Sequence, residues 1–155
     1  MSTPKSHRIP FMEAALVEAQ KAAGKGEVPV GCVAVCNNQI IATNHNRREE
    51  TGDPSAHAEI LVLREVGRQK KRWNLSEIDL YVTLEPCPMC AGALVNSRIS
   101  TLVYGADDPK RGGVRSLYTI CEDPRLNHQC QVISGILKDK CSQILTNFFQ
   151  ELRKS

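Results

Sequence analysis

Residues 79–94 read DLYVTLEPCPMCAGAL, a β-branched apolar run that meets proline and passes at once into small, helix-compatible residues. The first six residues predict a strand. Pro86 ends it, and Pro88, suited to a first helical turn, opens a helix predicted over 88–97. A strand that feeds a helix this abruptly is a unit of an α/β sandwich. It also puts Cys87 and Cys90 at a helix N-terminus, where free N–H groups and the helix dipole favour thiolates.

Upstream, Phe11, Ala15, Leu16, Ala19 and Ala22 recur at helical spacing, with Pro10 before them and Gly24 and Gly26 after, so a helix is predicted from Pro10 to about Gly24. Residues 28–36 and 39–43 predict two antiparallel strands, joined by Asn37-Asn38 as a two-residue hairpin turn. Residues 44–52 read as a polar loop. Asp53-Pro54 supplies a cap and first-turn proline for a helix to about Gly67, with His57 and Glu59 in its first turns. Downstream, residues 99–104 predict a fourth strand, followed by a long loop over 105–128 with a short helix near 114–120. Residues 131–136 predict a fifth strand. Cys141, Leu145, Phe148 and Leu152 mark one face of a final helix over 139–153. This alternation predicts one domain over 1–155: an α/β, three-layer α/β/α sandwich with a five-stranded mixed sheet covered by helices on both faces.

A chain of 155 residues with 41% hydrophobic content is one ordinary domain, able to bury roughly 68–70% of its unfolded surface. Its 20 basic and 17 acidic residues leave +3, too mild to establish a nucleic-acid partner and no obstacle to one. Residues 1–10 are polar, and the apolar run 28–36 is broken by Pro29 and Gly31. Neither a signal sequence nor a membrane span is expected, and the protein is expected to be soluble and cytoplasmic. Seven cysteines without a secretory signal read as reduced thiols or metal ligands. Cys32, Cys36, Cys121, Cys130 and Cys141 read as packed structural thiols.

Cys87 and Cys90, with His57 thirty positions earlier, make the three-ligand set of a catalytic zinc site, leaving a fourth position for water. A redox Cys-x-x-Cys would lack the His-x-Glu upstream. A structural zinc ribbon needs a fourth ligand, which only Cys121, Cys130 or His128 could supply. Leu61 stands where a zincin helix requires a second histidine, which excludes that class. Glu59 is either a capping acid or, beside a metal-bound water, a proton carrier. The two halves of the metal motif favour the carrier.

Around this core lie Pro29-Val30-Gly31, Asn44-His45-Asn46, Asp53-Pro54-Ser55-Ala56-His57-Ala58-Glu59, LYVTLEPCPMCAGAL over 80–94 and Ser97-Arg98-Ile99. Farther on come YGADDPK over 104–110, Gly112-Gly113, Ser116-Leu117, Leu126-Asn127-His128, Gly135-Ile136-Leu137 and Phe148-Phe149. Over nearly the whole chain these segments resemble the bacterial tRNA adenosine deaminases of the cytidine deaminase-like superfamily. The resemblance implies zinc-dependent hydrolysis of adenosine to inosine at the tRNA wobble position, one Zn2+ per chain, a tRNA anticodon-loop partner and a homodimer. It implies Glu59 as the catalytic proton carrier, His57, Cys87 and Cys90 as metal ligands, and Asn46 as a hydrogen bond to the base, where the residue could otherwise be a turn former. Pro29, Val30 and Ala58 would line the base pocket, while Asp107, Asp108 and Phe149 of the final helix would border the anticodon loop. Arg47, Arg48, Lys110, Arg111, Arg153 and Lys154 could contact phosphates. Two positions depart from the family pattern: Arg115 stands where relatives carry a small residue, and Gln129 where arginine is common. Free guanine or cytosine deamination, or a zinc subunit that binds RNA without catalysis, are the competing functions.

Overall fold

The computed structural model describes residues 5–154; the first four residues of the polar opening lie outside it. The element order is α1 (Lys5–Gly24), β1 (Gly31–Cys36), β2 (Gln39–His45), α2 (Arg48–Thr51), α3 (Ala58–Lys70), β3 (Asp79–Leu84), α4 (Pro88–Asn96), β4 (Thr101–Ala106), a 3-10 turn (Ile120–Glu122), β5 (Gln131–Ser134) and α5 (Lys138–Lys154). The strands form one sheet in the order β2-β1-β3-β4-β5. β1 is antiparallel to β2 and β3, whereas β3, β4 and β5 run parallel. The expected five-stranded mixed sheet is therefore present.

Strand alternation sends successive side chains to opposite faces, and the core divides accordingly. Cys32, Ala34, Leu80, Val82, Leu102 and Tyr104 pack with Val62 and Val66 of α3 and Ala91 and Leu94 of α4. Val33, Val35, Tyr81 and Val103 pack on the other face with Met12, Ala15 and Leu16 of α1 and Cys141 of α5. Cys32, Cys121, Cys130 and Cys141 are buried free thiols and Cys36 is half-buried.

Several boundaries differ from expectation, each for a tertiary reason. α1 begins at Lys5, with Pro10 inside it. The first turns are held by Ile9 and Phe11 against the sheet, by the Phe11–Tyr81 ring contact at 5.2 Å, and by a 2.9 Å hydrogen bond between His7 Nε2 and Asn38 Oδ1. β1 starts only at Gly31, because Val30 N–H turns back to the Val28 carbonyl. β2 continues to His45, paired with Gly31. The polar loop contains the short helix α2, whose Glu49 and Glu50 N–H groups donate to the buried Glu27 carboxylate at 3.0 and 2.7 Å. Asp53 does not cap α3. Its carboxylate accepts Ser55 N–H and hydroxyl at 2.8 Å, forming a separate turn, and α3 starts after His57. β4 lies two residues later than predicted, in register with β3 from Asp79↔Thr101 to Leu84↔Ala106. The helix expected near 114–120 is reduced to the 3-10 turn. β5 ends at Ser134, before Gly135 at φ +85°. The hairpin turn is as expected, with Asn37 and Asn38 at φ +51° and +63°.

Candidate active site

His57 and Cys87 are the N-caps of α3 and α4, both in extended conformation, and Cys90 lies one turn into α4. Two helix N-termini thus converge on one point. His57 Nδ1 lies 3.6 Å from Cys87 Sγ and 3.3 Å from Cys90 Sγ, and all three ligand atoms fall within 4.8 Å of one another. A tetrahedral zinc with Zn–S of about 2.3 Å and Zn–N of about 2.05 Å separates nitrogen from sulfur by about 3.6 Å, so the donor set fits that ion. Among the described residues no other group of three such side chains converges in this way. His128, a conceivable fourth ligand, instead bonds the Ile99 carbonyl at 2.8 Å.

The electrostatics suit metal capture. A hydrogen bond from Cys90, aided by His57 and opposed by burial, pulls the Cys87 thiol down to about 3. The Cys90 thiol is pushed up by sharing its proton with Cys87, by burial and by nearby Glu59. The thiolate is the form of cysteine that binds a metal ion. Glu59, in the first turn of α3, is only 4% exposed, and burial holds its carboxyl above the ordinary carboxylate range, in contact with Cys90. A carboxyl raised by burial exchanges protons closer to neutral pH, as a proton carrier requires.

His57, Glu59 and Cys87 open onto a cleft of about 820 Å3. Val30, Asn46, Ala58, Asp107, Asp108 and Phe149 line it with His57, Glu59 and Cys87. Cys90 is buried behind Cys87, and Pro29 is also buried and off the wall. The turn in which Val30 N–H bonds the Val28 carbonyl is centred on Pro29, and Val28 and Val30 line the cleft while Pro29 does not. Asn46 is fixed by its own amide: Nδ2 donates to the Val28 carbonyl at 3.3 Å, and Oδ1 accepts Arg48 N–H at 3.2 Å. One N–H and one lone pair remain for a ligand.

Of the six candidate phosphate contacts, Arg48, Lys110, Arg111 and Arg153 line the cleft. Arg47 is engaged by Asn44 and Glu50, and Lys154 by Glu151. Asp108 accepts the N–H groups of Lys110 and Arg111, and so shapes the turn that presents them. Val28, Leu84, Glu85, Leu145 and Leu152 also line the cleft. The α5 residues had a signal in the apolar face of that helix; Val28 and Glu85 had none. The departures are also placed. Arg115 reaches away, to Glu122, Ser134 Oγ and the Val132 carbonyl on the sheet edge. Gln129 donates to the carbonyls of Asp123 and Leu126 within its own loop.

A five-stranded mixed sheet that joins a helix-capping histidine to a Cys-x-x-Cys helix start, with a buried glutamate between them, defines a deaminase of the cytidine deaminase-like fold. Residues 6–153 match the MafB19-like deaminase family, and the tRNA-specific adenosine deaminase of Bacillus subtilis is 50% identical over 144 residues, 93% of this chain and 89% of that one. The chain belongs to the tRNA-specific adenosine deaminase family. A solved structure from work on A-to-I editing by tRNA:A34 deaminases at the wobble position of transfer RNA is similar at a TM-score of 0.85 and 45% identity, over 88% of this chain and 99% of that one. The guanine deaminase of Nitrosomonas europaea shares the fold at a TM-score of 0.77 and 21% identity, over 96% of this chain and 85% of that one. The fold by itself therefore does not select the base.

Proposed function

We propose that this protein hydrolyses adenosine to inosine at the wobble position of tRNA anticodons, with one Zn2+ per chain held by His57, Cys87 and Cys90. The observation that carries the proposal is the composition of one cleft: Glu59 and two of the three metal donors, His57 and Cys87, line it together with apolar Phe149, Leu145 and Leu152 and with Arg48, Lys110, Arg111 and Arg153. Such a cleft offers a floor for one base, an apolar platform for stacking neighbours and cations for phosphates. A free base would leave most of it unused.

When bound, zinc acts as a Lewis acid that acidifies a water molecule for attack at C6 of adenine. Glu59 takes the water proton and delivers it to N1. It then takes the remaining proton of the attacking oxygen and passes it to the amino nitrogen as the C6–N bond breaks, so adenosine and water give inosine and ammonia. Asn46, held by Val28 and Arg48, uses its remaining hydrogen-bonding capacity on the base. Val30 and Ala58 enclose the ring, while Asp107, Asp108 and Phe149 border the flanking nucleotides. A single-stranded anticodon loop suits the site, because flipping a base out of a loop costs less than out of a duplex.

The protein is further proposed to act as a homodimer. Met89, Leu117 and Tyr118 are exposed, and Met89, Leu117 and Pro88 share a depression with His57 and Cys87. An apolar patch of that kind suits contact with a second copy. A tRNA substrate and seven reduced thiols fit the cytoplasm, and no helix among the described residues is long and apolar enough to cross a membrane. The direct test is incubation of purified protein with tRNA bearing adenosine at the wobble position, and separately with free guanine and cytosine, followed by detection of inosine and ammonia. Inosine in the tRNA alone is the expected result; turnover of a free base with none on tRNA would reverse the assignment.

A further inference from the structure

The segment 107–118 carries four cleft-lining residues, Asp107, Asp108, Lys110 and Arg111, and contains no helix or strand. Backbone N–H groups in such a segment must find other acceptors. Here one side chain serves four of those N–H groups. Glu85, 2% exposed at the end of β3, accepts Asp108 N–H on Oε1 at 3.0 Å. Its Oε2 accepts the N–H groups of Val114, Arg115 and Ser116 at 3.2, 2.9 and 2.9 Å. The Ser116 hydroxyl donates to Oε1 as well. The chain between 108 and 116 is thus drawn into a ring around a single carboxylate.

Two glycines make that approach possible. A Cβ on Gly112 would stand 2.3 Å from the Glu85 carboxyl carbon, and one on Gly113 would stand 2.8 Å from Pro88 N and 2.9 Å from Cys87 C. Gly113 N–H donates to the Pro86 carbonyl at 2.8 Å. The loop is therefore pressed against both its carboxylate anchor and the turn that presents the Cys87 sulfur.

We infer that Glu85 is a positioning residue for RNA binding: its carboxylate gathers the backbone of 108–116 so that Asp107, Asp108, Lys110 and Arg111 face the nucleotides that flank the reacting base. The inference rests on the tRNA reading above and deepens it. Glu85 acts through the loop, and its removal acts on substrate capture more than on the chemical step. An amide in its place keeps one acceptor oxygen but turns an NH2 group toward N–H donors, leaving buried donors unpaired.

The test uses zinc-loaded protein with Glu85→Gln and, separately, Ser116→Ala, which removes the hydroxyl donor and spares every backbone donor. Steady-state kinetics on a tRNA anticodon stem-loop are read beside metal content and amide hydrogen exchange. For Glu85→Gln, KM is expected to rise about tenfold or more while kcat falls less than about threefold. The amides of 108 and 114–116 should exchange faster and those of 59–66 should not change. Ser116→Ala should shift KM and exchange in the same direction by a smaller factor. Loss of zinc together with a fall in kcat at unchanged KM would assign Glu85 to the metal site and overturn the proposal. So would faster loop exchange with wild-type KM. If Glu85→Gln does not fold, wild-type KM and exchange in Ser116→Ala would overturn it. Should the wild-type protein leave the stem-loop unmodified, the tRNA reading fails; the exchange data separately decide whether the carboxylate holds the loop.

Discussion

Of three buried glutamates, Glu59 and Glu85 line the cleft and Glu27 holds α2 next to it, and their surroundings divide them between two tasks. Glu59 touches the metal donors and has Cys90 as its neighbour; Glu85 and Glu27 spend their oxygens on backbone N–H groups of two separate rim segments. Burial pushes the Glu85 carboxyl up, but the Ser116 hydroxyl and the surrounding N–H groups outweigh it and hold the group below its ordinary range, so it stays a charged acceptor. Burial pushes Glu59 up with less to oppose it. That contrast separates proton carrier from anchor. Glu59→Ala is expected to retain about one zinc per chain and to lose at least about 10²–10⁴-fold in turnover, the range for losing a general acid–base. Metal analysis beside an inosine assay measures both, and wild-type-like turnover in that variant would sink the mechanism. At this scale the grouping of His57, Cys87 and Cys90 with Glu59 was legible, because a metal centre calls for fixed residue types at short spacing. Glu85 and Glu27 were not, since their partners are backbone groups of no particular residue type lying 22–31 positions away.

Among the elements, α1 packs closest on the start of β1, and Gly31 is the point of contact. A Cβ there would stand 1.9 Å from the Ala15 carbonyl oxygen and 2.5 Å from Ala19 N, both helix backbone atoms that cannot yield without moving α1. Gly31 N–H also donates to Thr83 Oγ1 at 3.2 Å, tying β1 to β3 below the metal site. Gly31→Ala is expected to cost about 2 kcal/mol or more, the scale of core overpacking. For a domain of this size that lowers Tm by roughly 4–8 °C, which calorimetry reads directly; an unchanged Tm would mean that α1 can slide. The elements read correctly, β3, α4 and the Asn37-Asn38 hairpin, carry their own local signals of β-branching, proline and tolerance of positive φ. Those misplaced by several residues, the starts of α1 and α3 and the frame of β4, were settled by contacts beyond their own sequence: Phe11 on Tyr81, Asp53 diverted to Ser55, β4 in parallel register with β3.

For the molecule as a whole, the sheet brings the N-termini of α3 and α4 side by side, and α5 crosses from the opposite layer to close one wall of the same cleft with Leu145, Phe149 and Leu152. Phe149 and Leu152 remain about half exposed there, as do Leu117, in the depression it shares with His57 and Cys87, and its neighbour Tyr118. On the proposed function the first group meets RNA and the second a second copy of the chain. Sedimentation equilibrium is expected to give twice the 17.2 kDa chain mass, and Leu117→Lys with Tyr118→Ser is expected to shift the species toward one copy by burying charge in an apolar contact. A wild-type monomer at all working concentrations would remove the dimer from the proposal.

The sequence by itself determined the alternation of elements and which side chains were candidates for the chemistry. His57, Glu59, Cys87 and Cys90 could be read because coordination and proton transfer demand particular side chains at short, helix-compatible spacings, and strands and helices carry their own periodicities. Only the tertiary structure decided which face each loop turns to the cleft: Val28 in place of Pro29, Arg115 away on the sheet edge, and 108–116 gathered on Glu85. The physical reason is that irregular backbone must satisfy its N–H groups wherever the fold happens to bring an acceptor. That acceptor is chosen in space, by the crossing of β3 with a loop more than twenty residues later, and leaves no period or spacing in the chain.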